Sequence, residues 1–561
     1  MFPSFFRSSP FLLPMSLLDT SHSLPLVLTL IGFVSIFLAL RLCRKRPQFP
    51  LPPGPKTSWF GGVASLPKSS PWRTYAEWRE VYGDIIYIDA FGNPIVILNS
   101  AKAAYDLLEK RSARYSSRPV RTMVQEIMGF DWLFSGMPYG SSWRKHRTMF
   151  QKYFHAHSSP QYQPIQLKES HVLLRNLLHR PDRLEQHIRR SAVAPVMKIL
   201  YGHDVPEEGD VFVTLADQAM SAFGKAGLFG TFLVDYIPFP TSVPSISPVK
   251  HVPYWIPGAD FKKQAKDWRK ASRAMIDGPF EMVKQRMPSL TDGDMAWQES
   301  GTAIPCFTTS ELDEWIKSGR DPEHARLIKG VAGTSYAAGI DTTAVRPKTV
   351  SAVLSFFLVM MLHPEIQRKA QAQIDAVVDT DRLPQFSDRA ALPFLDCIIL
   401  ECLRWNPVGP LGVAHYVTED DVYEGYSIPK GTTVMANAWS ILHDEAIYPD
   451  PFAFKPERFE DPNKNADLAI NDPPSVAFGF GRRACPGRWL VDDTIWITIA
   501  SVLAVYTLSK AVDENGVVIE PDTEYTTGLV SRPKPFKCVI TPRSESALAL
   551  VLQTEDEKVA R

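Results

Sequence analysis

Cysteine is scarce in this chain, and its spacing forms no cluster. The six thiols, Cys43, Cys306, Cys397, Cys402, Cys485 and Cys538, never fall in a C-x-x-C pair, which excludes the common zinc frames and a secreted disulfide scaffold. No N-x-[ST] acceptor occurs either, in agreement with a body that faces a reducing cytosol. An excess of charge is also missing, with Lys+Arg and Asp+Glu at 61 each. That balance, and the lack of any basic block interleaved with aromatics beyond one near the N-terminus, leaves no electrostatic case for a nucleic-acid partner. No internal repeat occurs, so solenoids and propellers drop out. What remains is 561 residues, 45% of them hydrophobic, enough to bury a large core in one big domain or two or three ordinary ones.

Long hydrophobic runs are rare too. Residues 24–43, LPLVLTLIGFVSIFLALRLC, are long enough to cross ~30 Å of hydrocarbon at ~1.5 Å per residue. Arg41, Arg44, Lys45 and Arg46 close the run, and by the positive-inside rule they hold the downstream chain on the cytosolic side. The charges follow the apolar run and no A-x-A site comes after it, so an anchor is expected rather than a cleaved signal peptide. FPLPPGP, residues 49–55, is a stiff extended spacer, because prolines remove donors and fix φ. The expected organisation is a short lumenal segment 1–23, a transmembrane anchor 24–43, a basic and proline-rich linker 44–56, a catalytic domain 57–542 and a polar C-terminal tail 543–561. Met15 is an equally good start, so residues 1–14 read as an upstream extension.

Within the body, DIIYIDAFGNPIVILNS (84–100) predicts a β-hairpin around Phe91-Gly92-Asn93-Pro94, and AKAAYDLLEKR then switches to helical spacing. Apolar positions at three- and four-residue intervals predict helices over 141–155, 165–202, 208–226, 260–287, 322–343, 349–376 and 393–405. Prolines crowd 232–258, which predicts a loop, and GVVIEP, TTGLV and KCVIT near the C-terminus predict short strands. The run 351–362, SAVLSFFLVMML, is too short to span a bilayer and is expected in the core. The fold class is mainly α with a small β part.

One cysteine has a setting that gives it a task. In FGFGRRACPG, residues 478–487, Gly479, Gly481 and Gly487 permit a tight loop that can approach a large ligand closely. The run after Gly487 reads as a helix, so Cys485 lies near a helix N-terminus, where free N–H groups and the dipole favour a thiolate. Arg483 adds a cation suited to a carboxylate. The alternative is an ordinary buried thiol in a glycine-rich turn. The stretch matches F-x-x-G-x-R-x-C-x-G through Phe478, Gly481, Arg483, Cys485 and Gly487, and the chain resembles the cytochrome P450 family. Glu401 and Arg404 form E-x-x-R in ECLRWNP, FKPERF follows at 454–459, AAGIDTT at 337–343 resembles the family's oxygen-activation segment, and WRKHR at 143–147 its W-x-x-x-R helix.

The resemblance implies a cytochrome P450 fold preceded by a single transmembrane helix, with haem b (iron-protoporphyrin IX) held by Cys485 as axial ligand. It implies a buried ion network of Glu401, Arg404 and Arg458, with Trp143, Arg147, His415 and Arg483 as candidates for the haem propionates. Thr342 would hydrogen-bond dioxygen while Asp341 helps to relay protons. His146 is left as a surface or packing residue. The implied activity is a fungal-type microsomal monooxygenase that inserts one oxygen atom of O2 into an apolar small molecule, a secondary metabolite such as a terpenoid or polyketide, or a polycyclic aromatic xenobiotic. Electrons would come from NADPH through NADPH–cytochrome P450 reductase, with cytochrome b5 as an optional second donor and a basic surface near Arg144 and Lys145 for docking. Phe130, Trp132, Phe134, Phe223, Ala337 and Ala338 are candidate pocket residues. The expected protein is monomeric, single-pass in the endoplasmic reticulum, with its catalytic domain cytosolic.

The pattern breaks after Thr343. Pro347 in AVRPKTVSA would cost ~3 kcal/mol in a helix interior, so residues 344–349 read as an insertion, with 238–246 as a second, better tolerated case. An inactive haem-binding isoform therefore stays open, as does a haem-thiolate isomerase or dehydratase that needs no O2.

Overall fold

A computed structural model describes residues 48–56, 66–67, 69–90, 92–227, 235, 261–287, 304–339, 348–461 and 472–559. The expected anchor 24–43, the 238–246 segment, Asp341, Thr342 and Pro347 lie outside the described residues. Among the described residues no single helix is long and apolar enough to cross a membrane.

The chain is mainly helical with a small β part. The expected hairpin forms β1 (Ile85–Ala90) and β2 (Asn93–Leu98), antiparallel from Ile85↔Leu98 to Ala90↔Asn93. Gly92 takes φ 79° at the turn, a conformation open to glycine at no steric cost. β2 then pairs in parallel with β6 (Thr433–Ala436), which also carries the two-residue β3 (His415–Tyr416). A separate hairpin joins β4 (Asp421–Tyr423) to β5 (Tyr426–Ile428).

Two of the three apolar clusters among the described residues hold most of the helices. One surrounds Lys348–Leu362, where every residue from Val350 to Met361 is buried, as expected for a helix apolar all round. It packs with Pro364–Val378, Pro393–Trp405 and Arg488–Val505. The other joins Ser141–Phe154, Leu184–Tyr201, Val211–Gly227, Phe261–Arg286 and Pro322–Gly339. Gly330 and Gly333 let that last helix pack closely. A Cβ at Gly330 would lie 2.7 Å from His146 Nε2, and one at Gly333 2.8 Å from Ile276.

Several expectations need correction. The periodic stretch 165–202 is two helices, Gln163–His179 and Leu184–Tyr201, because Pro181 cannot continue the first. The stretch 349–376 likewise breaks at His363-Pro364, with a 106° bend. GVVIEP and TTGLV form no ladder; isolated bridges Val512↔Val518 and Tyr525↔Pro533 stand nearby. KCVIT does supply β8 (Cys538–Pro542), paired with β7 (Tyr506–Lys510). The polar tail 543–561 contains the helix Glu545–Val559, which buries Ala547, Leu550 and Val551, while Arg175 bonds Thr554 O at 2.8 Å.

Candidate functional site

The cysteine loop connects the short helix Pro473–Ala477 to the helix Arg488–Val505. Its shape follows from two glycines at positive φ, Gly479 at 79° and Gly481 at 57°. The amide of Cys485 closes the loop on Phe478 O at 2.8 Å, and Ala484 N–H bonds Gly481 O at 3.0 Å. Cys485 is half-buried just before the helix, whose first N–H groups lack partners within the helix.

Cations converge on this loop. Arg147, from the helix Ser141–Phe154, donates to Ala484 O at 2.9 Å. Burial pulls its guanidinium down, and the charge of a Cys485 thiolate opposes that shift. Arg483 is buried, donates through Nε to Ser116 O at 2.6 Å and through Nη2 to Met137 O at 2.7 Å, and stacks 4.3 Å from the Trp143 ring. Arg118, buried in the extended segment after the short helix Ser112–Tyr115, donates to Ser135 O, Val413 O and Ala414 O. Burial, then the mutual repulsion of Arg118 and Arg483, lowers the pKa of Arg118. His415 on β3 donates Nδ1–H to Tyr115 O at 2.8 Å. Burial, then Arg118, holds it well below the ordinary imidazole range and therefore neutral.

Among the described residues no carboxylate pairs with Arg118, Arg147 or Arg483. Arg483 Nη1 and Ser116 Oγ are buried without a hydrogen-bond partner. Buried polar groups are normally satisfied and buried charges paired, so this arrangement suits an anionic ligand with at least two acceptor oxygens. Four positions picked from the sequence, Trp143, Arg147, His415 and Arg483, thus come together. Arg118 was missed. Its partners come from segments far along the chain, and no motif marks it.

The second group chosen from the sequence is self-contained. Arg404 bonds Glu401 at 2.6 and 2.8 Å and donates to Leu442 O, Pro451 O and Ala453 O; both residues are fully buried. Arg458 Nε reaches Glu401 at 3.2 Å, and Lys455 N–H adds a bond at 2.8 Å.

The other expectations divide. Phe130 packs against Trp132 and Phe223 with centroids 5.6 and 5.3 Å away, Phe134 packs on Phe150, and Ala337 is buried, whereas Ala338 is exposed. His146 is a packing residue, buried, with Nδ1 2.8 Å from Ser142 O. Lys145 is exposed and paired with Glu323 at 2.7 Å. Arg144 lies with Arg482 about the ring of Tyr139.

The family model described as Cytochrome P450 matches residues 52–540. Similar curated proteins are Cytochrome P450 monooxygenase 208 of Postia placenta, 42% identical across 92% of this chain and 95% of that one, and Cytochrome P450 monooxygenase claR of Ampulloclitocybe clavipes, 37% identical across 97% and 96%. A third, Cytochrome P450 monooxygenase ple1 of Rhodocybe pseudopiperita, is 40% identical across 90% and 92%.

Proposed function

The chain belongs to the cytochrome P450 family and is a haem-dependent monooxygenase, and from that premise we propose that it oxidises an apolar small molecule with electrons from NADPH–cytochrome P450 reductase. The observation that carries the site assignment is the set of buried guanidiniums around Cys485 with no carboxylate of their own.

Haem b suits that set. Its propionates would meet Arg118, Arg147, Arg483 and the Trp143 indole, with His415 neutral beside them, and Cys485 would ligate the iron. The cofactor, held by a thiolate, supplies O–O bond cleavage. The protein's part is to hold that sulfur at the start of the helix Arg488–Val505, beside Arg147, and to orient the propionates through planar guanidinium contacts. Asp341 and Thr342 are assigned proton delivery on the family resemblance. The apolar substrate is likewise assigned on the family resemblance. The electron donor would dock on the face carrying exposed Arg144, Arg482 and Arg488, where charge complementarity speeds encounter. In this reading residues 24–43 anchor the enzyme in the endoplasmic reticulum membrane with the body cytosolic.

The test is a reduced carbon-monoxide difference spectrum of the expressed protein and of Cys485→Ser, with NADPH consumption in the presence of the reductase. A red-shifted thiolate band in the wild type, abolished by the substitution, is expected. A band that survives in Cys485→Ser overturns the ligand assignment, and turnover without NADPH overturns the donor assignment.

A further inference from the structure

The cysteine loop is also gripped from outside, by a segment with no part in the cation set. The helix Ala101–Ala104 continues through Tyr105–Lys110 as a wider π-type turn, in which Arg111 N–H reaches back five residues to Asp106 O at 3.1 Å. Such turns are rare and frequently mark functional positions. Two groups of this turn meet Gly481. A Cβ at Gly481 would lie 2.2 Å from Leu108 O and 3.2 Å from Ser112 Cβ, so the contact exists because position 481 has no side chain. At the same place Glu109 Oε2 accepts a hydrogen bond from Gly481 N–H at 2.6 Å. The Glu109 side chain is otherwise exposed and makes no ion pair among the described residues. Its bond is therefore to the backbone of the loop and to no neighbouring cation.

We infer that Glu109 is a positioning residue for the haem thiolate. Gly481 opens the single turn Gly481–Arg483, and its carbonyl accepts from Ala484 N–H. Fastening Gly481 N–H to Glu109 fixes the start of that turn, and with it the points from which Arg483 and Cys485 project. A backbone N–H donated to a side-chain oxygen 2.6 Å away is a short, directional contact, as a loop clamp requires. Its mobile alternative is a solvent-bonded amide with the loop free to shift against the π turn. The inference rests on Cys485 carrying the haem.

Two variants separate the bond from the charge: Glu109→Ala removes both, and Glu109→Gln keeps an acceptor oxygen. Hydrogen exchange of the 478–487 peptide in the holoprotein reads the clamp directly, and conversion of the thiolate carbon-monoxide band to its inactive form on mild warming reads the ligand. Glu109→Ala should speed both by about threefold or more, the range of one partly exposed hydrogen bond, while Glu109→Gln stays near wild type. Unchanged exchange in Glu109→Ala overturns the proposal. So does an equal effect in Glu109→Gln, which would make the charge the agent. If wild type shows no thiolate band, the ligand assignment fails instead, and the exchange result still decides whether Glu109 holds the loop.

Discussion

Among the described residues, buried arginines occur in two places and mean different things in each. Arg404 and Arg458 share Glu401, and the remaining Arg404 donors meet three carbonyls. Arg118 and Arg483 share no carboxylate, repel one another, and leave Arg483 Nη1 without a partner. The first group is complete within the polypeptide, so its work is architectural: it ties the helix Pro393–Trp405 to the segment around Pro456–Phe459. The second is complete only with an anion added. The same residue type thus marks structure or ligand binding according to who supplies the counter-charge.

The widest separation between the two groups should come from Glu401→Ala. It strands fully buried Arg404, which costs about 3–5 kcal/mol, and the loss should appear with or without haem. Thermal unfolding and the yield of folded protein measure it. A variant that folds and melts like wild type would show that the network is not structural.

Arg483→Leu should behave in the opposite way. Relief of the repulsion with Arg147 and Arg118 offsets the loss of bonds to Ser116 O and Met137 O, so the haem-free protein should keep nearly its wild-type stability. Haem, in contrast, should dissociate about ten- to a hundredfold faster, the worth of one charge-assisted contact of ~1.5–3 kcal/mol. Transfer of haem to apomyoglobin gives the rate. Wild-type retention would remove Arg483 from the propionate set.

These two groups also differ in how plainly the sequence displays them. Glu401 and Arg404 stand one helical turn apart, and Phe478, Gly481, Arg483, Cys485 and Gly487 lie within ten residues, so local spacing reveals both. Arg118 has no such signature, because Ser135 O, Val413 O and Ala414 O reach it only through the tertiary fold. The two-residue strand that places His415 is too short to leave a periodic trace. Helical periodicity reads straight across Pro181 and Pro364, since the apolar positions keep their intervals while the backbone cannot follow. The C-terminal helix hides behind charged residues, although Ala547, Leu550 and Val551 carry its inward stripe at helical intervals.

The smallest effect, and the finest discrimination, comes from two histidines, one beside each group. Burial, then Arg404, lowers His443 to about 3; burial, then Arg118, holds His415 well below its ordinary value of 6.5. Each is neutral in the folded protein and charged in the unfolded chain below that ordinary value, so the unfolded state binds more protons there. Stability is therefore full above about pH 6.5 and falls with acid, by at most ~1.4 kcal/mol per pH unit for each group. Haem changes only one of them. Propionates beside Arg118 and Arg483 would offset the arginine part of the shift at His415 and leave the burial part, whereas His443 gains no new neighbour. Urea unfolding between pH 5 and 7 should thus show a shallower acid slope with haem bound. His443→Gln should flatten the slope in both forms, and His415→Gln chiefly in the haem-free one. Equal slopes with and without haem would mean that burial alone holds His415 neutral, and the contrast between the two arginine groups would then rest on Arg483 alone.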